Sequence, residues 1–126
     1  MSEEPLLPSE AATRDSLLSE LNGLDGAWRE YVERVRALAD QWEKVKIKLL
    51  EKISRTESLL KATEADLERI SVELELGLAG EEERREEKSR LEERRAKLEA
   101  RLKALQEIVE IVESRLLEHL SRVRGA

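Results

Sequence analysis

The sequence predicts an all-α protein: a long antiparallel helical hairpin with a short N-terminal helix packing at its open end. Three observations carry this expectation. Ala, Glu, Lys, Leu and Arg supply 82 of 126 residues, a bias found in long helices and coiled coils. Apolar residues recur at alternating steps of three and four, the heptad pattern of packed helices. Charges fall into blocks whose signs alternate along the chain.

Residues 1–8 hold Glu3, Glu4, Pro5 and Pro8 and read as a disordered acidic tail. Ser9 can cap a helix over about 9–21, with Leu17, Leu18 and Leu21 on one side. Asn22-Gly23 reads as its stop, because these residues tolerate the left-handed turn that ends helices. Asp25 can cap the next helix. From about 26 to 76 the seam runs Trp28, Val32, Val35, Ala39, Trp42, Val45, Leu49, Ile53, Thr56, Leu60, Thr63, Leu67, Ile70, Leu74. The steps 45–49–53 are both four, which predicts one stutter in the repeat. Gly77-Leu78-Ala79-Gly80 predicts a reversal over 77–80. Glu81, Glu82 and Glu83 suit the positive end of a helix over about 81–124. Its seam is Leu91, Arg95, Leu98, Leu102, Leu105, Val109, Val112, Leu116, Leu120, Val123. The longer arm would measure about 75 Å at 1.5 Å per residue. Residues 72–78 alternate like a strand, but 81–90 has no apolar residue and offers no strand to pair with it.

The charge blocks select the topology. Residues 44–55 carry net +4, 56–76 net −4, 84–103 net +4 and 104–118 net −3. Folding at 78–79 sets residue i against about 157 − i, so opposite signs meet. Lys44, Lys48 and Lys52 would then face Glu113, Glu110 and Glu107 and set the register. An in-register parallel dimer would set like blocks together. An extended antiparallel dimer centred on 78–79 matches charges equally well. The fold-back is preferred because two Gly inside a continuous helix cost roughly 2 kcal/mol relative to Ala.

More apolar surface is present than one seam can use. Trp28, Tyr31, Trp42, Ile47, Leu50, Ile108, Ile111 and Leu117 gather at the open end. They are the candidate oligomer interface, because apolar residues on more than one stripe call for more than one partner. Val72, Leu74, Leu76 and Leu78 are the candidate contact at the tip.

Catalytic, cofactor and metal sites are not expected. The chain has no Cys and one His, His119; position 116 is Leu, so the Glu-x-x-His set of di-iron bundles is missing. The Ser residues lack a base partner, and no Gly-rich phosphate loop exists. The basic run 84–103 is interleaved with Glu at helical spacing, which reads as a self-satisfied solvent face. Net charge is −6, which disfavours nucleic-acid and membrane partners. No apolar run is long enough to span a bilayer and residues 1–8 lack the pattern of a signal peptide, so a cytoplasmic location is expected. The high Glu, Lys and Arg content with few Asn and Gln matches thermophilic usage. In outline the plan resembles prefoldin subunits, spectrin-type repeats and the core hairpin of ESCRT-III proteins. None of them shares a motif with it residue by residue, and the chain is assigned to none. The expected function is a non-enzymatic coiled-coil interaction or scaffold protein that self-associates, a dimer first. The alternatives are a prefoldin-type client holder using the apolar tip, and a nucleic-acid- or membrane-associated module using Lys44, Lys46, Lys48 and Lys52.

Overall fold

The computed structural model describes residues 5–125 and contains two helices, α1 (Pro8–Glu75) and α2 (Glu81–Arg124). They pack antiparallel, and no strand occurs among the described residues. The fold is thus an all-α helical hairpin. The first four residues of the expected tail lie outside the described residues; Pro8 already opens α1.

Pro8 suits that position because its fixed φ matches the helix and its missing N–H is not needed there. Glu10 accepts a hydrogen bond from the Leu7 N–H at 2.8 Å, which satisfies one donor just ahead of the helix. The separate helix expected at 9–21 is absent. Residues 22–26 stay helical, and α1 runs unbroken for 68 residues, about 100 Å rather than 75 Å. The physical reason is phase. Leu17, Leu21, Leu24 and Trp28 keep steps of four, three and four through the glycines, so a turn here would break one continuous stripe. Positive φ occurs at Gly77 and Gly80 but not at Gly23, and left-handed geometry is what a Gly stop requires.

At the tip both glycines adopt it, with φ of 62° and 81°. The Gly77 N–H donates to the Leu74 carbonyl and the Leu76 N–H to the Val72 carbonyl. α1 therefore ends in helical turns, and 72–75 form no strand. Arg84 then straps the turn. Its guanidinium donates to Glu73 Oε2 at 3.1 Å and to the Ala79 carbonyl. The Glu73–Arg84 pair sets the register at i against 157 − i.

The seam of α1 is stricter than its apolar spacing suggested. Val35, Trp42, Leu49, Thr56, Thr63 and Ile70 form one row at intervals of seven, and Val32, Ala39, Lys46, Ile53, Leu60, Leu67 and Leu74 form the second. Every member of both rows is buried or half-buried. The expected stutter at 45–49–53 is absent, because Lys46 rather than Val45 fills the slot. Thr56 and Thr63 enter the seam by turning their hydroxyls back onto the Lys52 and Leu59 carbonyls, at 2.7 and 2.8 Å, which satisfies the polar atom locally. Ile70 is 0% exposed although 81–90 has no apolar residue. The half-buried Arg84, Glu87 and Lys88 lie at its level, and side chains of this kind bury their methylene stems along apolar surface.

Candidate functional site

The open end differs from the rest of the hairpin because its seam carries a polar cluster. Trp42 is 5% exposed, and its indole Nε1–H donates to Glu113 Oε2 at 2.5 Å. Lys46 Nζ donates to the other carboxylate oxygen at 3.0 Å. The Trp42 hydrogen bond first, and then the Lys46 ammonium, hold the Glu113 carboxyl below its ordinary pKa. Glu113 thus replaces Val112 in the seam of α2 just as Lys46 replaces Val45 in that of α1. Both valines rotate outward, to 40% and 37% exposure.

This rotation builds a groove. Leu38 and Val45 of α1 face Ile111, Val112 and Leu116 of α2 across a space of about 430 Å³ that Trp42 floors. At its mouth Tyr31 Oη and His119 Nδ1 share a hydrogen bond of 2.6 Å, and the Trp28 ring lies 5.6 Å from that of Tyr31. This pair ties the last turns of α2 to α1. Below it α1 continues without a partner, and Leu17, Leu18, Leu21 and Leu24 of this overhang are all exposed.

The predicted interface residues divide accordingly. Trp42 is spent inside the hairpin and is not free for a partner; Tyr31 is half-buried on His119. Trp28, Ile47, Leu50, Ile108, Ile111 and Leu117 are exposed. Of these Ile111 lines the groove, whereas Ile47, Leu50 and Leu117 do not. At the tip Val72, Leu76 and Leu78 are exposed and Leu74 is half-buried in the seam. Of the charges expected to set register, Glu113 pairs with Lys46 instead of Lys44. Lys44, Lys48, Lys52, Glu107 and Glu110 are exposed and form no ion pair among the described residues. Instead an ion network at the tip bridges the helices: Arg69 with Glu73 at 3.2 Å and Glu87 at 3.8 Å, and Arg84 with Glu73. The Arg84 hydrogen bond foremost holds the Glu73 carboxyl below its ordinary pKa.

Leu38, Val45 and Val112 escaped the sequence reading as surface residues. A signal for them existed. Leu17, Leu24, Tyr31, Leu38 and Val45 recur every seven residues, a third row beside the two that meet α2. Among the described residues no helix is long and apolar enough to cross a membrane, and no group of three or more acidic or His side chains is placed to hold a metal ion. No family model matches the chain, and neither the curated proteins nor the solved structures hold a significant match to it.

Proposed function

We propose that this chain is a non-enzymatic coiled-coil scaffold protein that self-associates through the apolar faces of its open end. One observation carries the reading: the described residues leave nineteen large apolar side chains exposed and bury seven, and most of the exposed ones lie in the overhang and around the groove. The accessible surface is 10209 Å², against about 6,900 Å² for a compact chain of this mass. Surface of that kind is covered in assemblies. The test is the mass of the intact chain in solution across a wide concentration range. An oligomer that loses mass on Ile108→Glu with Ile111→Glu is expected. A monomer of 14.5 kDa at every concentration overturns the reading.

The exposed Val72, Leu76 and Leu78 favour a second reading, a client holder that grips non-native chains at the tip. Suppression of aggregation by the natural chain but not by Leu76→Glu with Leu78→Glu would support it; equal behaviour of the two would dismiss it.

A further inference from the structure

The overhang and the groove lie on one face of one helix. Leu17 and Leu24 in the overhang, and Tyr31, Leu38 and Val45 beside α2, occupy successive positions of a single heptad row. Leu21 and Trp28 continue the row that holds Val35 and Trp42. The stripe that finds α2 above Tyr31 therefore runs on past the end of α2 with nothing to cover it. A groove that accepts a third helix and a helix segment that needs a groove are both present in each copy.

They cannot meet within one copy while α1 is straight. Leu21 and Leu38 are 17 residues apart, about 26 Å along the axis. We infer that the occupant of the groove is the overhang of a second copy. Two chains pair antiparallel along α1, and each overhang becomes the third helix of its partner's open end. This inference rests on the self-association reading above and names its geometry.

Two further features select this partner. Packing one row against the other in the antiparallel sense sets residue i of one copy level with about 59 − i of its partner. Leu17 then meets the level of Trp42, Leu21 that of Leu38, and the exposed Trp28 that of the half-buried Tyr31, so two aromatic pairs close on the dyad. The charges agree along the α1 wall of the groove, whereas the α2 wall, net −3 over 104–118, opposes the overhang. Residues 8–25, with Glu10, Asp15, Glu20 and Asp25 against Arg14, carry net −3. They would lie along 34–51, where Arg34, Arg36, Lys44, Lys46 and Lys48 against Asp40, Glu43 and Glu51 give net +2. Lys44 and Lys48 have no ion partner within the hairpin.

The chain has no Cys, so engineered thiols report contacts cleanly. Leu21→Cys and Leu38→Cys are made as separate single variants, both at exposed positions, and oxidised alone and as an equimolar mixture. A disulfide needs Cα atoms within about 7 Å. The mixture is expected to give a linked species of about 29 kDa, twice 14.5 kDa, and each variant alone is not. Leu17→Glu with Leu24→Glu is expected to return the mass to that of one chain while helix content holds. Gly23→Ala with Gly26→Ala, which opposes bending of the overhang onto its own base, is expected to leave the cross-link intact. A dimer by mass without the Leu21–Leu38 link, or a link in the Leu21→Cys sample alone, overturns the trans overhang and leaves self-association standing. Loss of the link in the double Ala variant overturns it too. A monomer at every concentration overturns both.

Discussion

The two halves of the hairpin bury their shared seam by different means. Toward the tip, Ile53, Thr56, Thr63, Leu67 and Ile70 are buried against an α2 segment made largely of Arg, Lys and Glu. Long charged side chains lay their stems over the seam and keep their heads in water, and an ion network fastens the turn. Little apolar surface is left there beyond Leu59, Val72, Leu76 and Leu78. At the open end the seam instead carries Trp42, Lys46 and Glu113, and apolar side chains displaced from it line a groove. A half-exposed charged pair in a seam adds little stability compared with packing two valines there. The tip half thus closes with two helices, whereas the open half leaves Val45 and Val112 uncovered.

Ile70 separates the two halves most sharply. Ile70→Ala removes a fully buried side chain and is expected to cost about 2–5 kcal/mol, read by urea unfolding followed by circular dichroism. The same change at Val45 is expected to barely alter the unfolding of the monomer; equal losses at both sites would erase the distinction between the halves. Next in size is the turn. Gly77→Ala places a Cβ at φ of 62°, which costs roughly 1–2 kcal/mol. The same substitution at Gly23 and Gly26, where a Cβ meets nothing within 4 Å, is expected to stabilise α1 by about 0.5–1 kcal/mol each. Thermal unfolding of the Ala variants decides whether the glycines at 77 and 23 differ in sign as stated.

The smallest effect is that of pH. Glu73 at the tip and Glu113 at the open end both have carboxyl pKa values below the ordinary 4.5. A carboxylate depressed in the folded state stabilises the fold above its unfolded value, and that contribution is lost as pH falls through the folded value. The hairpin is thus expected to weaken as pH drops below 4.5. Glu73→Gln should flatten the acid loss measured by tip-half probes, and Glu113→Gln that measured by Trp42 fluorescence. An acid response unchanged in both variants would assign it to other carboxylates.

Much of this was legible from residues alone. The reversal at Gly77–Gly80 followed from two glycines after an unbroken helical stretch, and the pairing of i with about 157 − i followed from a reversal centred on 78–79; the charges expected to set it, Lys44, Lys48, Lys52, Glu107 and Glu110, form no ion pair among the described residues. The open end was less so. Asn22-Gly23-Leu24-Asp25-Gly26 has the local chemistry of a stop and a new cap, and local chemistry was overridden there by the phase of the surrounding leucines. Val45 and Val112 looked like seam residues because apolar side chains usually win such slots. Lys46 and Glu113 took those slots because they satisfy each other across the interface while Trp42 donates a third hydrogen bond, and a pair 67 residues apart is invisible to any local pattern.

The helical state and the site of reversal were written in the sequence, since they depend on periodicity and glycine freedom, and the site of reversal carries the approximate antiparallel pairing with it. Which seam residues are hidden, and how much of α1 is left without a partner, was settled by the packing of the two helices. Those outcomes depend on where α2 ends against α1 and on a Trp–Glu–Lys cluster that exists once the two helices meet. An overhang with a leucine stripe and a groove lined by displaced valines are the two products of that meeting.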